Sequence, residues 1–298
     1  MPPFPTITTY PGGAVHAPTV MRTGNSPARL KDMRVVTQNL LGHHLDWPRR
    51  LPAAATWFRR LDPDVVTLQE TIATDDYDQA TEVLGDGYHV THHPLREPDG
   101  SGISIASRWP IGAVRELDLQ VGPRTADFAA TAQIADIHWP FSDVPLLLVN
   151  HKPSWATNLE YERGRQAVLT AGFVEELVER SGQHVVLAGD MDAMPDTDSI
   201  RFWRGVQALD GTSVSYRDAW ELTHGTEPGP TFAPSLTPII TEQWRTDLDR
   251  RIDYVFVRCG RAGPTLRVTH CTRTFDAPVD GVWPTDHCGV VADLDPGR

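Results

Sequence analysis

The chain is poor in cysteine, in basic residues and in long apolar runs, and each shortage removes a class of protein. Its three cysteines, Cys259, Cys271 and Cys288, are an odd number at spacings that match no metal motif. That excludes a disulfide framework and predicts reduced, structural thiols. A chain of 298 residues can bury enough apolar surface to fold without covalent staples. No stretch approaches the ~20 consecutive apolar residues of a membrane helix, so no span is expected. The opening MPPFPTITTYPGG lacks a basic segment ahead of an apolar core, so it predicts no secretory leader and favours the cytoplasm. Lys and Arg number 27 against 39 Asp and Glu, a formal charge of −12. Proteins that grip duplex phosphates non-specifically carry a basic face, and this balance argues against that class. A nuclease stays compatible, because bound divalent cations reverse the sign of the potential inside a site.

What is present is ordinary for a globular protein: 40% hydrophobic and 22% charged residues. Residues 1–31 are rich in Pro, Gly and Thr without periodicity, and predict a flexible arm ahead of the domain. From Met33 the pattern changes. MRVVTQNLL and DVVTLQE are β-branched apolar runs, and WPRRLPAAATWFRRL between them has helical spacing, broken only near its start by Pro52. Further strands are expected at GISIASR, PLLLVNHK, HVVLAGD, RIDYVFVR and CGVVADL, with a helix from about Leu159 to Arg180. Long irregular connections, notably 210–248, separate some of them. With no repeat and no second break in composition, residues 32–298 read as one α/β domain. No obligate protein partner is evident.

Polar residues close the apolar runs. Asn39 ends the first, Glu70 the second, His151 a third and Asp190 a fourth. Asp253 lies within RIDYVFV, and Asp286 and His287 precede the last strand. Carboxylates and imidazoles at strand termini converge on one edge of a sheet. Oxygen donors with few sulfurs suit a hard cation such as Mg²⁺ or Mn²⁺. Each residue alone is more often a turn former or a solvated strand end; the ordered set is what carries weight.

In that order, TQNL, LQE, SGISIASRWPI, VNHKPSW, GDMDAMPD, RIDYVFV and TDH resemble the endonuclease/exonuclease/phosphatase superfamily, which includes deoxyribonuclease I, abasic-site endonucleases, sphingomyelinases and inositol polyphosphate 5-phosphatases. RGRQAVL at 163–169 resembles the Arg–Gln helix that follows the histidine strand there. The resemblance covers about residues 33–294. It implies a four-layer α/β sandwich, two packed and mainly antiparallel sheets with helices outside, and an active site at one end. It also implies a Mg²⁺-dependent phosphodiester hydrolase acting through activated water.

By that resemblance Glu70 is the principal metal ligand, Asn39 helps place the metal or its waters, and Asp286 completes the site. Asp190 orients or deprotonates the attacking water. His287, held by Asp253, contacts phosphate or moves a proton. His151 matches a second histidine that bonds phosphate or assists the leaving group. Lys152 and Arg124 are weaker phosphate candidates. Trp47 and Trp155 would stack on a base or sit in the core. One position departs from the pattern: the family's Gly-Asp-x-Asn is here Gly189-Asp190-Met191-Asp192. An ionised Asp accepts hydrogen bonds where Asn can donate, so Asp192 binds a second metal, stays protonated, or leaves the phosphate to be held otherwise.

Two other enzyme readings and one non-enzyme reading stand beside this. Asp190-Met191-Asp192 suggests an aspartyl-nucleophile phosphatase, but Met194 stands where those enzymes carry Thr or Val. A phosphomonoesterase of the same superfamily is the second. An inactive relative serving as a binding module is the third. The expected partner is a phosphate ester: nucleic acid, a nucleotide-like diester or a lipid head group.

Overall fold

The computed structural model describes residues 32–237, 239 and 249–296. Residues 1–31, predicted as an arm, lie outside the described residues. In chain order the strands are β1 (Met33–Asn39), β2 (Val65–Ile72), β3 (His89–His92), β4 (Ser101–Ser107), β5 (Ile111–Asp118), β6 (Thr131–Ile137), β7 (Leu146–Lys152), β8 (Val185–Asp190), β9 (Tyr216–Asp218), β10 (Asp253–Gly260), β11 (Gly263–Pro264), β12 (Arg267–Thr274) and β13 (Gly289–Asp295). The helices are α1 (Trp47–Leu61), α2 (Gln79–Leu84), α3 (Glu160–Ser181), α4 (Asp198–Trp203) and α5 (Ala219–His224).

Two sheets form. The six-stranded one runs β12-β13-β1-β2-β4-β3; the seven-stranded one runs β11-β10-β8-β7-β6-β5, with β9 on β10. Each is antiparallel except for one parallel pair, β1–β2 and β7–β8. Parallel neighbours need a crossover, supplied by α1 in one sheet and α3 in the other. Pro52 does not break α1, which runs unbroken from Trp47 to Leu61. The ring costs one early hydrogen bond.

The inner faces meet in a core that includes Val35, Val65 and Val290 from the first sheet and Leu148, Val186 and Val255 from the second. Outside the first sheet, Val36, Val66 and Leu68 pack on Ala54 and Phe58 of α1. Outside the second, Val149, Leu187 and Phe256 pack on Ala171 and Val174 of α3 and Phe202 and Trp203 of α4. The result is the four-layer sandwich that the resemblance implied. Because both faces of the central strands are covered, their residues are apolar at odd and even positions alike.

The seven-stranded sheet is contiguous in sequence and inserted between β4 and β12 of the other. Both connections between the sheets, Ser107 to Ile111 and Pro264 to Arg267, leave from the end where β4 and β10 finish. Asp253, Asp190 and Glu70 lie at the opposite end, where β10 begins and β8 and β2 finish. Within the long connection from 210 to 248 are β9 and α5; residues 238 and 240–248 lie outside the described residues.

Candidate active site

The side chains at that end are set by strand parity. On β7, Leu146 and Leu148 belong to the inter-sheet core and Leu147 and Val149 to the outer one. Continuing the alternation, Asn150 and Lys152 face inward and His151 faces the helices. Asn150 Nδ2 donates to Leu68 O and Ser104 O, both at 2.9 Å, and its Oδ1 accepts from Gln69 Nε2 at 2.8 Å. Asp190 on β8 and Asp253 on β10 share the inner face with Ala188 and Val255, and the two strands pair them directly. Gly189, one position before Asp190, is forced: a Cβ there would lie 2.1 Å from His151 O.

Glu70 reaches the site against parity. Val66 and Leu68 point outward, and Glu70 would follow them. A register shift between Leu68 and Thr71, with φ 51° at Glu70, turns its carboxylate to meet Asn39 Nδ2 at 2.8 Å. Asp192 also has a positive φ of 50°. Two non-glycine carboxylates in left-handed conformations beside one cleft are the kind of backbone strain that clusters at functional sites.

Asn39 ties the sheets together: its Nδ2 also donates to Asp190 Oδ2 at 3.0 Å, and its Oδ1 accepts from Leu41 N. Lys152 Nζ lies 2.6 Å from Asp190 Oδ2, 2.5 Å from Asp192 Oδ2 and 3.7 Å from Glu70 Oε1. Burial opposes the ammonium charge, but these carboxylates outweigh it and hold Lys152 protonated well above its ordinary range. Burial likewise opposes ionisation of Asp190, and Lys152 and His287 reverse that and keep it an anion. Asp192 goes the other way, pushed up to about 6 by burial and the neighbouring Asp190.

His287 Nδ1 is 3.0 Å from Asp253 Oδ2. Burial disfavours the imidazolium, yet Asp253 and Asp190 raise the ring to about 10, so it stays charged at neutral pH. Asp286, beside it, is raised by burial and by the nearby Glu70 charge. Arg50 of α1, 2% exposed, donates to the carbonyls of Leu40, Gly42, His44 and Pro284. That fastens the loop after β1 to the turn that carries Asp286. No motif signals Arg50 in the sequence; only its place on the buried side of an amphipathic helix hints at a role.

A cleft of about 660 Å³ opens over these groups. Its floor includes Glu70, Lys152, Asp190, Asp192, Asp286 and His287, and its walls include Phe128, Trp155 and Phe232. Trp155 is 46% exposed, and Arg250 stacks on Phe232 at 5.2 Å. Trp47 lies in the core, its indole N–H on Tyr77.

Two of the expected contacts are corrected. His151 does not reach the cleft: it is buried against Thr170 Oγ1 at 3.2 Å and edge-on to Trp203, and burial lowers its pKa to about 3. The residue facing the cleft from this strand is Lys152, one position later. Arg124 is turned away as well, bonded to Glu162 Oε1 and Asn158 O.

The donor chemistry fits a hard divalent cation. Glu70 and Asp286 offer carboxylate oxygens to the cleft. Asp190, Asp253 and His287 also bring potential ligand atoms within 4.8 Å of one another, but a protonated imidazole is no ligand and would have to lose its proton first.

The model of the Endonuclease/Exonuclease/phosphatase family matches residues 36–287 of the chain. No curated protein gives a significant match. Among solved structures, TDP2 of D. rerio in complex with a single-strand DNA product is 19% identical with a TM-score of 0.70, over 89% of this chain and 99% of that one. TDP2 of C. elegans is 17% identical with a TM-score of 0.69, over 90% and 77%. The human Nocturnin catalytic domain with a bound sulfate is 17% identical with a TM-score of 0.66, over 90% and 94%. At these identities the likeness is one of fold.

Proposed function

The chain belongs to the endonuclease/exonuclease/phosphatase family, and on that footing we propose that it is a divalent-metal-dependent phosphodiesterase whose catalytic domain is residues 32–298. The observation that carries this is the meeting of Asp190 with the Asp253–His287 pair at 4.8 Å or less, at the floor of a cleft with aromatic walls. A Mg²⁺ or Mn²⁺ ion held by Glu70 and Asp286, with Asn39 steering Glu70, would neutralise a non-bridging phosphate oxygen and stabilise the leaving oxygen.

The chain's own groups account for the rest. Asp190, locked as an anion by Lys152 and Asn39, accepts a hydrogen bond from water and aims its lone pair at phosphorus. His287 arrives charged, with Asp253 fixing its ring, and donates to a phosphate oxygen as negative charge grows there. The aromatic walls and Arg250 support a substrate with a planar or apolar group on one ester arm. The complex of D. rerio TDP2 with a single-strand DNA product adds single-stranded nucleic acid as a candidate. The unpaired thiols suit a reducing compartment such as the cytoplasm.

The test is a panel with Mg²⁺ and Mn²⁺: bis(p-nitrophenyl) phosphate, p-nitrophenyl phosphate, a dinucleotide, single-stranded and plasmid DNA, RNA, sphingomyelin and inositol phosphates. Metal-dependent cleavage of diesters is the expected result. Turnover confined to monoesters would replace the reading with the phosphomonoesterase alternative, and inertness throughout would favour a binding module.

A further inference from the structure

Lys152 is one of only two lysines in a chain whose other basic residues are arginine, and it lies among three carboxylates. Its side chain is 3% exposed. The ammonium touches Asp190 Oδ2 and Asp192 Oδ2 and stands 3.7 Å from Glu70 Oε1. Phe128 covers it, the ring centroid 5.6 Å from Nζ. A compact point charge with three donors thus holds the oxygens that a second divalent cation would need.

The departure at Asp192 belongs to the same arrangement. Replacing a family Asn by Asp adds one negative charge, and a buried lysine beside it adds one positive charge. The pair is neutral: without the ammonium, a buried Asp192 carboxylate beside Asp190 would be an uncompensated charge, whereas without Asp192 the ammonium still faces Asp190 and Glu70. Asp192 seats Lys152, its Oδ2 lying 2.5 Å from the ammonium.

We propose that Lys152, seated by Asp192, is a built-in monovalent cation that takes the place of a second metal ion, so that the site binds a single divalent cation at Glu70 and Asp286. This rests on the metal-dependent reading above. It makes Lys152 a positioning residue, acting on substrate through Asp190 and through the ions it excludes.

Manganese binding by calorimetry and by the EPR signal of bound Mn²⁺, on the full chain, tests it without any activity readout. One ion per wild-type chain is expected. Lys152→Met, which leaves Asp190, Asp192 and Glu70 facing one another, should bind two, with the spin-coupled spectrum of a metal pair. Asp192→Asn and Lys152→Arg keep a cation in place and should remain at one. The double variant Lys152→Met/Asp192→Asn, short of a carboxylate, should bind its second ion at least tenfold more weakly than Lys152→Met. Two ions in the wild type would overturn the inference alone and leave the hydrolase reading standing. No ion in the wild type would overturn both. A single ion in folded Lys152→Met would show that the ammonium excludes nothing. Should that variant not fold, two ions in Lys152→Arg or in the wild type still sink the idea.

Discussion

At position 151 an imidazole is enclosed between Thr170 and Trp203, and burial brings its pKa down to about 3. An unfolded histidine takes up a proton below about pH 6.5. Between those values the unfolded chain binds the extra proton, so stability is full above pH ~6.5 and is lost as pH falls toward 3. His151→Asn should flatten that stretch of the stability–pH curve measured by urea unfolding. Its kcat should stay within about threefold of wild type, whereas His287→Ala should lower kcat roughly 10²–10⁴-fold, the scale of a positioned acid–base group. A large kcat loss in His151→Asn with unchanged stability would reverse the assignment. The sequence places a histidine and a lysine side by side, and only the frame of the strand tells which one faces the cleft. That frame is illegible in PLLLVNHK because both faces of β7 are apolar. Glu70 shows the opposite case: its motif singles it out and the structure brings it to the cleft, while the bulge that aims it leaves no trace in composition.

At the level of elements, the central strands and the two crossover helices were legible for the same reason that parity was not. Strands covered on both sides are continuous apolar runs, and α3 falls within a residue of its predicted bounds. β12 was missed because RVTHCTRT is an edge strand with several exposed positions, and it offers no apolar run. β6 was missed because only Ile134 and Ile137 of TAQIADI are large apolar residues and its burial comes from its neighbours. The four-layer arrangement came from family resemblance; periodicity could not supply it. Arg50 shows how a helix outside the sandwich shapes the site. Arg50→Met would strip a charged donor from buried carbonyls on both loops, each such bond being worth about 1.5–3 kcal/mol. Urea unfolding should show a loss of at least about 3 kcal/mol. A loss under about 1 kcal/mol would mean the loops hold themselves.

Across the whole molecule, the charge of −12 sets how substrates arrive. A protein that neutralises many phosphates loses about 10³–10⁵ in affinity between 50 and 200 mM salt. On a chain of that net charge, KM for a single-stranded oligonucleotide should change by less than about tenfold over that range. A steep rise in KM with salt would reveal a basic track along the nucleic acid.

The two sheets are joined by peptide bonds only at the end remote from the cleft, which leaves the working end free to gape like an unlocked clam. Beside the apolar core between the sheets, the polar set already described helps to keep it shut: Asn39 to Asp190, Asn150 to Leu68, Ser104 and Gln69, and His287 to Asp253. Groups suited to chemistry are therefore also the latch, and competence for reaction and closure of the jaws become one property. Asn150, which is not among the residues lining the cleft, allows the latch to be loosened by itself. In Asn150→Ala, amide hydrogen exchange should quicken at the C-terminal ends of β2 and β7 while the N-terminal half of β2 and the distal half of β10 keep wild-type protection. Uniform acceleration over both sheets would mean that the sandwich opens only by unfolding as a whole.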